Sequence, residues 1–264
     1  MSRISATFER LRQQKEKALI PFITAGYPDL STTRRLIFQC EQCGADLLEL
    51  GVPFSDPMAD GPIIQHASES ALAQGTSLER ILGMVKTIRR KSSIPIILMG
   101  YYNPFFKFGL KSFTRAAQAA GVDGLLVVDL PPEEAGEMKT HTDRAGLDLI
   151  FLLAPTSGPE RIDSIVKHAT GFIYYVSLTG VTGVRSTLDH SIRNQLETIR
   201  KKSPLPIGVG FGISTPEHAK TVARWADAVV VGSALIKIIS GSTSKAEAVQ
   251  NAGRFIRTLK AAMR

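Results

Sequence analysis

Gly124-Leu-Leu-Val-Val-Asp129 is apolar at five successive positions and ends on a carboxylate. A strand with one face in water would alternate polar and apolar residues. An unbroken run is covered on both faces, as in a parallel sheet sheathed by helices. Working outward, seven further runs of this kind recur: Ala18 to Thr24, Asp46 to Leu50, Ile94 to Met99, Leu149 to Ala154, Phe172 to Ser177, Ile207 to Val209 and Ala228 to Val231. Between them lie stretches with helical spacing, for example Ser31 to Cys43, Leu110 to Ala120, Pro132 to Ala145, Glu160 to His168, Leu188 to Arg200, Pro216 to Ala226 and Ala246 to Met263. Eight strand-helix units predict an α/β chain folded as a single (β/α)8 TIM barrel, one domain over residues 1–264. The alternative is an open doubly wound sheet, but Gly208-Val-Gly-Phe-Gly212 has the wrong spacing for a dinucleotide fingerprint and follows the seventh strand.

The composition fits that reading. A chain of 264 residues, 44% hydrophobic and 21% charged, supports one large core and is awkward for two domains of ordinary size. Its N-terminus is charged and amphipathic. The first apolar run, Ala18 to Ile23, is too short for a signal segment or a membrane span, so a cytoplasmic protein with no membrane partner is expected. Cys40 and Cys43 form the one C-x-x-C, inside a helical pattern and without a second pair to complete a zinc site; ordinary thiols and no metal are expected. The net charge of +8 is scattered, without interleaved aromatics, which argues against nucleic acid. A mild positive field would instead steer a small anionic substrate.

In such barrels the chemistry sits at the C-terminal ends of the strands. That rule selects Glu49, Asp56 and Asp60 around strand two, Tyr101 and Asn103 after strand three, and Asp129 after strand four. It adds Ser177 and Thr182 around strand six, Gly210 and Gly212 after strand seven, and Gly232 and Ser233 after strand eight. Gly210-Phe-Gly212-Ile-Ser-Thr-Pro-Glu217 and Val231-Gly-Ser-Ala-Leu235 have the character of a phosphate cradle, where backbone amides and a helix N-terminus face an anion. Ser214 with Glu217 reads as a capping box, with Pro216 in the first turn. The glycines and small residues of Leu178-Thr-Gly-Val-Thr-Gly183 suit a lid. Glu49 interrupts an apolar strand. Either it faces the barrel mouth with a pKa raised by desolvation, or a lysine or arginine pairs with it.

The stretch Leu48 to Gln65, L-E-L-G-V-P-F-S-D-P-x-A-D-G-P-x-I-Q, resembles the signature of tryptophan synthase α subunits. The similarity runs over nearly the whole chain, through Pro21-Phe-Ile-Thr-Ala-Gly-Tyr-Pro28, Gly180-Val-Thr-Gly183, Gly210-Phe-Gly-Ile213 and Gly232-Ser-Ala234. The resemblance implies cleavage of indole-3-glycerol phosphate, with Glu49 and Asp60 as the catalytic pair and Tyr174 beside them. It places the indole against Phe22, Leu98 or Met99, Leu126 and Phe211, with Tyr101 and Asp129 as further substrate contacts. It gives the phosphate to Gly183, Gly212, Gly232 and Ser233, and has Thr182 close over the substrate onto Asp60. It also implies a partner, a pyridoxal-phosphate β subunit in an α2β2 complex that meets this chain at Pro53 and Asp56 and leaves it without a cofactor of its own. Leu178 and Thr179 depart from the arginine or serine common in relatives, and Tyr175 doubles the strand-six tyrosine. Two rivals remain: another phosphate-binding barrel, such as indole-glycerol-phosphate synthase, which needs a strand-end lysine, and a non-catalytic docking barrel.

Overall fold

The computed structural model of the protein describes residues 1–176, 185–210 and 212–264. Its strands are β1 Ala18–Thr24, β2 Leu48–Gly51, β3 Ile96–Gly100, β4 Gly124–Val127, β5 Asp148–Leu153, β6 Ile173–Val176, β7 Ile207–Gly210 and β8 Ala228–Val231. Each pairs in parallel with its sequence neighbour, and β8 pairs with β1 to close the barrel. The helices are α1 Arg3–Gln14, α2 Leu30–Gln42, α3 Pro62–Ala73, α4 Leu78–Ile88, α5 Tyr102–Phe108, α6 Leu110–Ala120, α7 Gly136–Ala145, α8 Pro159–His168, α9 Arg185–Lys202, α10 Pro216–Ala223, α11 Ser233–Ser240 and α12 Lys245–Ala262.

Each strand is apolar throughout because its two faces meet two different cores. Outward-facing Leu19, Ile23, Leu48, Leu50, Ile96 and Leu98 pack in the core between the barrel and its helices. Inward-facing Ala18, Ile20, Ile97, Leu126, Ile150, Tyr174 and Val230 fill the barrel itself. Ile4, Phe8 and Leu11 of α1 join that inner core, with the Phe8 and Phe172 rings 5.7 Å apart. The N-terminal helix therefore plugs the barrel bottom. It is fastened there by Arg3 to Asp123 at 2.7 Å, Ser2 to Asp148 at 2.6 Å and Arg10 to Asp46 at 3.6 Å. Two of these carboxylates and Asp227 also finish the sheet, since Asp46, Asp123 and Asp227 accept the first free amides of β1, β3 and β7, from Leu19, Ile96 and Ile207, at 2.9, 2.8 and 3.0 Å. With one end sealed, access is from the C-terminal end.

Besides small shifts at other helix ends, such as α10 stopping at Ala223 and not Ala226, two details differ from the sequence expectation. Helix α7 begins at Gly136 and not at Pro132, because successive prolines at 131 and 132 disfavour helical backbone, and residues 132–135 form turns. Helix α10 is capped by Thr215 and not by Ser214: the Thr215 hydroxyl accepts the His218 amide at 3.2 Å, with Pro216 in the first turn, while Ser214 faces His218 Nδ1 at 3.4 Å. Cys40 and Cys43 are free and buried, and burial pushes the Cys40 thiol far above its usual pKa, which leaves it unreactive. Among the described residues no helix is long and apolar enough to cross a membrane, and no group of three or more His, Cys, Asp or Glu is arranged to hold a metal.

Candidate active site

Strand β2 decides the site by its register. Leu48 and Leu50 face the helices, so Glu49 between them must enter the barrel. It is completely buried, and neither carboxylate oxygen has a hydrogen-bond partner. Of the two readings left open, paired or desolvated, the described residues support the second: among them no cation meets Glu49, and burial raises its pKa to about 8. At neutral pH the group is chiefly a carboxylic acid. Tyr174, inward-facing on β6, lines the same cavity; burial, and then the charge of Glu49, holds its phenol well above the usual range.

The loop between β2 and α3 brings a second carboxylate to the mouth. Burial raises Asp60 to about 6, and the Tyr101 hydroxyl, which faces it, opposes that rise by favouring the charged form. Asp60 is therefore mostly ionised where Glu49 is mostly neutral. The two line one cavity of about 250 Å3. Phe22, Ile64, Met99 and Val230 supply apolar walls, and Gly212, Gly232 and Ser233 form the opposite end. Gly51 leaves the space that the Phe22 ring occupies, and Gly210 leaves the space for the Tyr174 hydroxyl; a Cβ at either position would collide with that ring.

The glycine end of the cavity rests on backbone geometry. Gly212 has φ +76°, the left-handed region that favours glycine. Gly232 is the N-cap of α11 and Ser233 its first residue. The amides of a helix's first turn have no carbonyl partner within the helix, and they lie at the positive end of its dipole. A larger cavity, about 670 Å3, lies at the sealed end between α1 and residues such as Arg200, Leu205 and Asp227, away from both carboxylates.

The remaining predicted residues distribute as follows. Met99 lines the cavity, whereas Leu98 faces the outer core, which resolves a choice that periodicity left open. Leu126 is fully buried in the inner core and forms no wall of this cavity. Asp129 accepts the Tyr102 amide at 2.7 Å and lines a separate pocket with Arg161. Tyr101 is buried beside Asp60 and accepts the Ala59 amide at 3.0 Å. Pro53 is buried, while Asp56 is exposed and Met58 stands 86% exposed. Ser177, Leu178, Thr179, Thr182, Gly183 and Phe211 lie outside the described residues. Tyr175, next to the inward Tyr174, points outward and its hydroxyl donates to Gln195. Sequence reasoning missed Ile64, Ile213 and Val230 in the cavity wall. Ile64 follows the Asp-Gly-Pro turn in the first turn of α3, a signal available in the sequence.

A neutral acid and an ionised carboxylate across an apolar slot, with an anion cradle at its end, suit acid-base chemistry on a flat phosphorylated compound. The family model described as "Tryptophan synthase alpha chain" matches residues 8–264. The chain is 60% identical over 237 residues to the tryptophan synthase alpha chain of Geotalea daltonii, covering 90% of each. It is 54% identical to that of Geobacter sulfurreducens, covering 100% of this chain and 99% of the relative. The crystal structure of tryptophan synthase subunit alpha from Legionella pneumophila superposes with a TM-score of 0.92 at 42% identity, covering 100% of this chain and 98% of the other. Fold and sequence agree over nearly the whole chain, and the chain belongs to the tryptophan synthase alpha chain family.

Proposed function

We propose that this chain carries out the lyase reaction of its family, the retro-aldol cleavage of indole-3-glycerol phosphate to indole and D-glyceraldehyde 3-phosphate, in the cytoplasm. The observation that carries this reading is Glu49, a fully buried, unpartnered carboxyl with a pKa of about 8 at the mouth of the barrel. The neutral Glu49 gives its proton to indole C3, and the ring becomes a cation with positive charge on its nitrogen. Asp60 accepts the ring N–H and, being ionised, offsets that charge. The Glu49 carboxylate then takes the proton of the hydroxyl next to the ring. As that O–H bond yields a carbonyl, the carbon-carbon bond breaks and its electron pair returns to C3, neutralising the indole. One carboxyl thus acts as acid and then as base, which needs a pKa near working pH.

Phe22, Met99 and Val230 supply the flat apolar slot, with Tyr174 at its wall, and the amides near Gly212, Gly232 and Ser233, together with Gly183, take the phosphate. Thr182 and Phe211 complete the enclosure in this reading. Among the described residues no lysine lines the cavity, which separates the proposal from the synthase rival. The indole passes to a β subunit that carries pyridoxal phosphate, in an α2β2 assembly, and this chain works without a cofactor. The test is indole release from indole-3-glycerol phosphate by the purified chain, alone and with its β subunit. Substrate binding without indole release in both conditions overturns the lyase reading.

A further inference from the structure

Tyr101 touches the loop between β2 and α3 at two places. Its ring packs on that of Phe54 near the start of the loop, centroids 5.3 Å apart and planes inclined by 32°. Its hydroxyl accepts the Ala59 amide at 3.0 Å near the end of the loop, and it faces the Asp60 carboxylate. Tyr101 itself belongs to the rigid part of the molecule. It is buried, it is the N-cap of α5 directly after β3, and Tyr102, the first residue of α5, is held by Asp129. Between the two contacts the loop runs outward, where Ser55, Asp56 and Met58 are exposed. Tyr101, Asp60, Val52 and Ser68 together line a cavity of only about 10 Å3, space for at most one water, so the tyrosine and the carboxylate are closely packed.

We infer that Tyr101 is a positioning residue, a brace that fixes Asp60 relative to Glu49 and transmits a partner's grip on the exposed part of the loop, through Phe54, to the Asp60 carboxylate. The inference rests on the proposed lyase function and goes beyond the substrate contact expected of Tyr101. A tyrosine suits the task because one rigid side chain offers an apolar face to the loop's start and a polar tip to its end. The polar tip both accepts from Ala59 and orients the carboxylate. Phenylalanine would keep the first contact and lose the second.

The experiment measures indole release against pH for the full chain, with and without saturating β subunit, in Tyr101→Phe and Phe54→Leu. Tyr101, from the head of α5, faces Asp60; the other titratable groups lining these cavities are Glu49 from β2 and Tyr174 from β6, and among the described residues no lysine, arginine or histidine lines them. Without the hydroxyl, Asp60 loses the contact that favours its charged form. In Tyr101→Phe the acid limb of kcat/KM therefore moves to higher pH, kcat/KM falls roughly tenfold, the loss expected of one hydrogen bond to a charged group, and stimulation by the partner shrinks. Phe54→Leu keeps the wild-type basal rate and acid limb but loses most of the stimulation. A merely structural role for Tyr101 would lower the melting temperature without moving the acid limb, and that result overturns the inference. So does full stimulation in Phe54→Leu, which decides the matter even where Tyr101→Phe does not fold. Wild-type chain that releases no indole at saturating partner instead overturns the lyase function.

Discussion

Glu49 is the residue on which most depends. Glu49→Gln keeps the size of the neutral acid but cannot give up or take a proton, so turnover falls by ~10² to ~10⁴ while substrate affinity stays near wild type; single-turnover and binding measurements separate the two. The substitution also changes stability with pH. Folding raises the Glu49 pKa from 4.5 to about 8, so between these values the folded state binds more protons than the unfolded chain. Wild-type stability therefore declines as pH rises through that window, by at most ~1.4 kcal/mol per pH unit, and denaturant midpoints of Glu49→Gln overtake those of wild type in this range. In the proposed mechanism, Asp60 must be ionised and Glu49 protonated. With these groups near 6 and 8, kcat/KM is a bell, falling below about 6 as Asp60 protonates and above about 8 as Glu49 ionises. Asp60→Asn removes the acid limb and most of the activity, and a pH profile that keeps that limb in Asp60→Asn contradicts the assignment. The position of Glu49 in an apolar strand was legible in the sequence. Whether a cation met it was not, because the groups that could have done so come from strands and loops far away along the chain.

At the scale of elements, the proposed anion site lies in the turns after β7 and β8. Free phosphate or glycerol phosphate raises the melting temperature of the protein and competes with substrate. Gly212→Val abolishes that protection, since φ +76° is strained for valine and the side chain enters the cradle. The measurement is thermal unfolding with and without the anion, and protection that survives in Gly212→Val places the anion elsewhere. Strand positions were legible to within two residues because buried parallel strands are unbroken apolar runs bounded by turn residues. Helix starts were less so. The Pro132 to Ala145 pattern hides a turn before Gly136, and of two neighbouring hydroxyls, Ser214 and Thr215, the cap is the one directly before Pro216. Which hydroxyl reaches the amide depends on the backbone angle at which the chain leaves β7, and composition does not report that angle.

For the molecule as a whole, the exposed part of the loop between Glu49 and Asp60 is where a partner could act on both carboxylates at once. The isolated chain is expected to cleave substrate slowly and the β subunit to stimulate it, about 5-fold to 150-fold if the coupling matches that between binding sites. Asp56→Ala weakens the stimulation more than the basal rate, as measured by indole release during titration with β subunit. A rate unchanged at saturating partner, in wild type, removes the loop as the coupling element. By itself the sequence determined the barrel, the strand ends and the place of Glu49, because these follow from apolar periodicity and from a charged residue standing where only apolar ones are stable; Asp60 was singled out by its place after a strand end and paired with Glu49 by the family resemblance. The plug formed by α1, the choice of Met99 over Leu98, the burial of Pro53 and the contact of Tyr101 with both ends of its loop were decided by the tertiary structure alone. Each depends on side chains distant in sequence meeting in one register around a closed sheet, and closure is a property of all eight strands together.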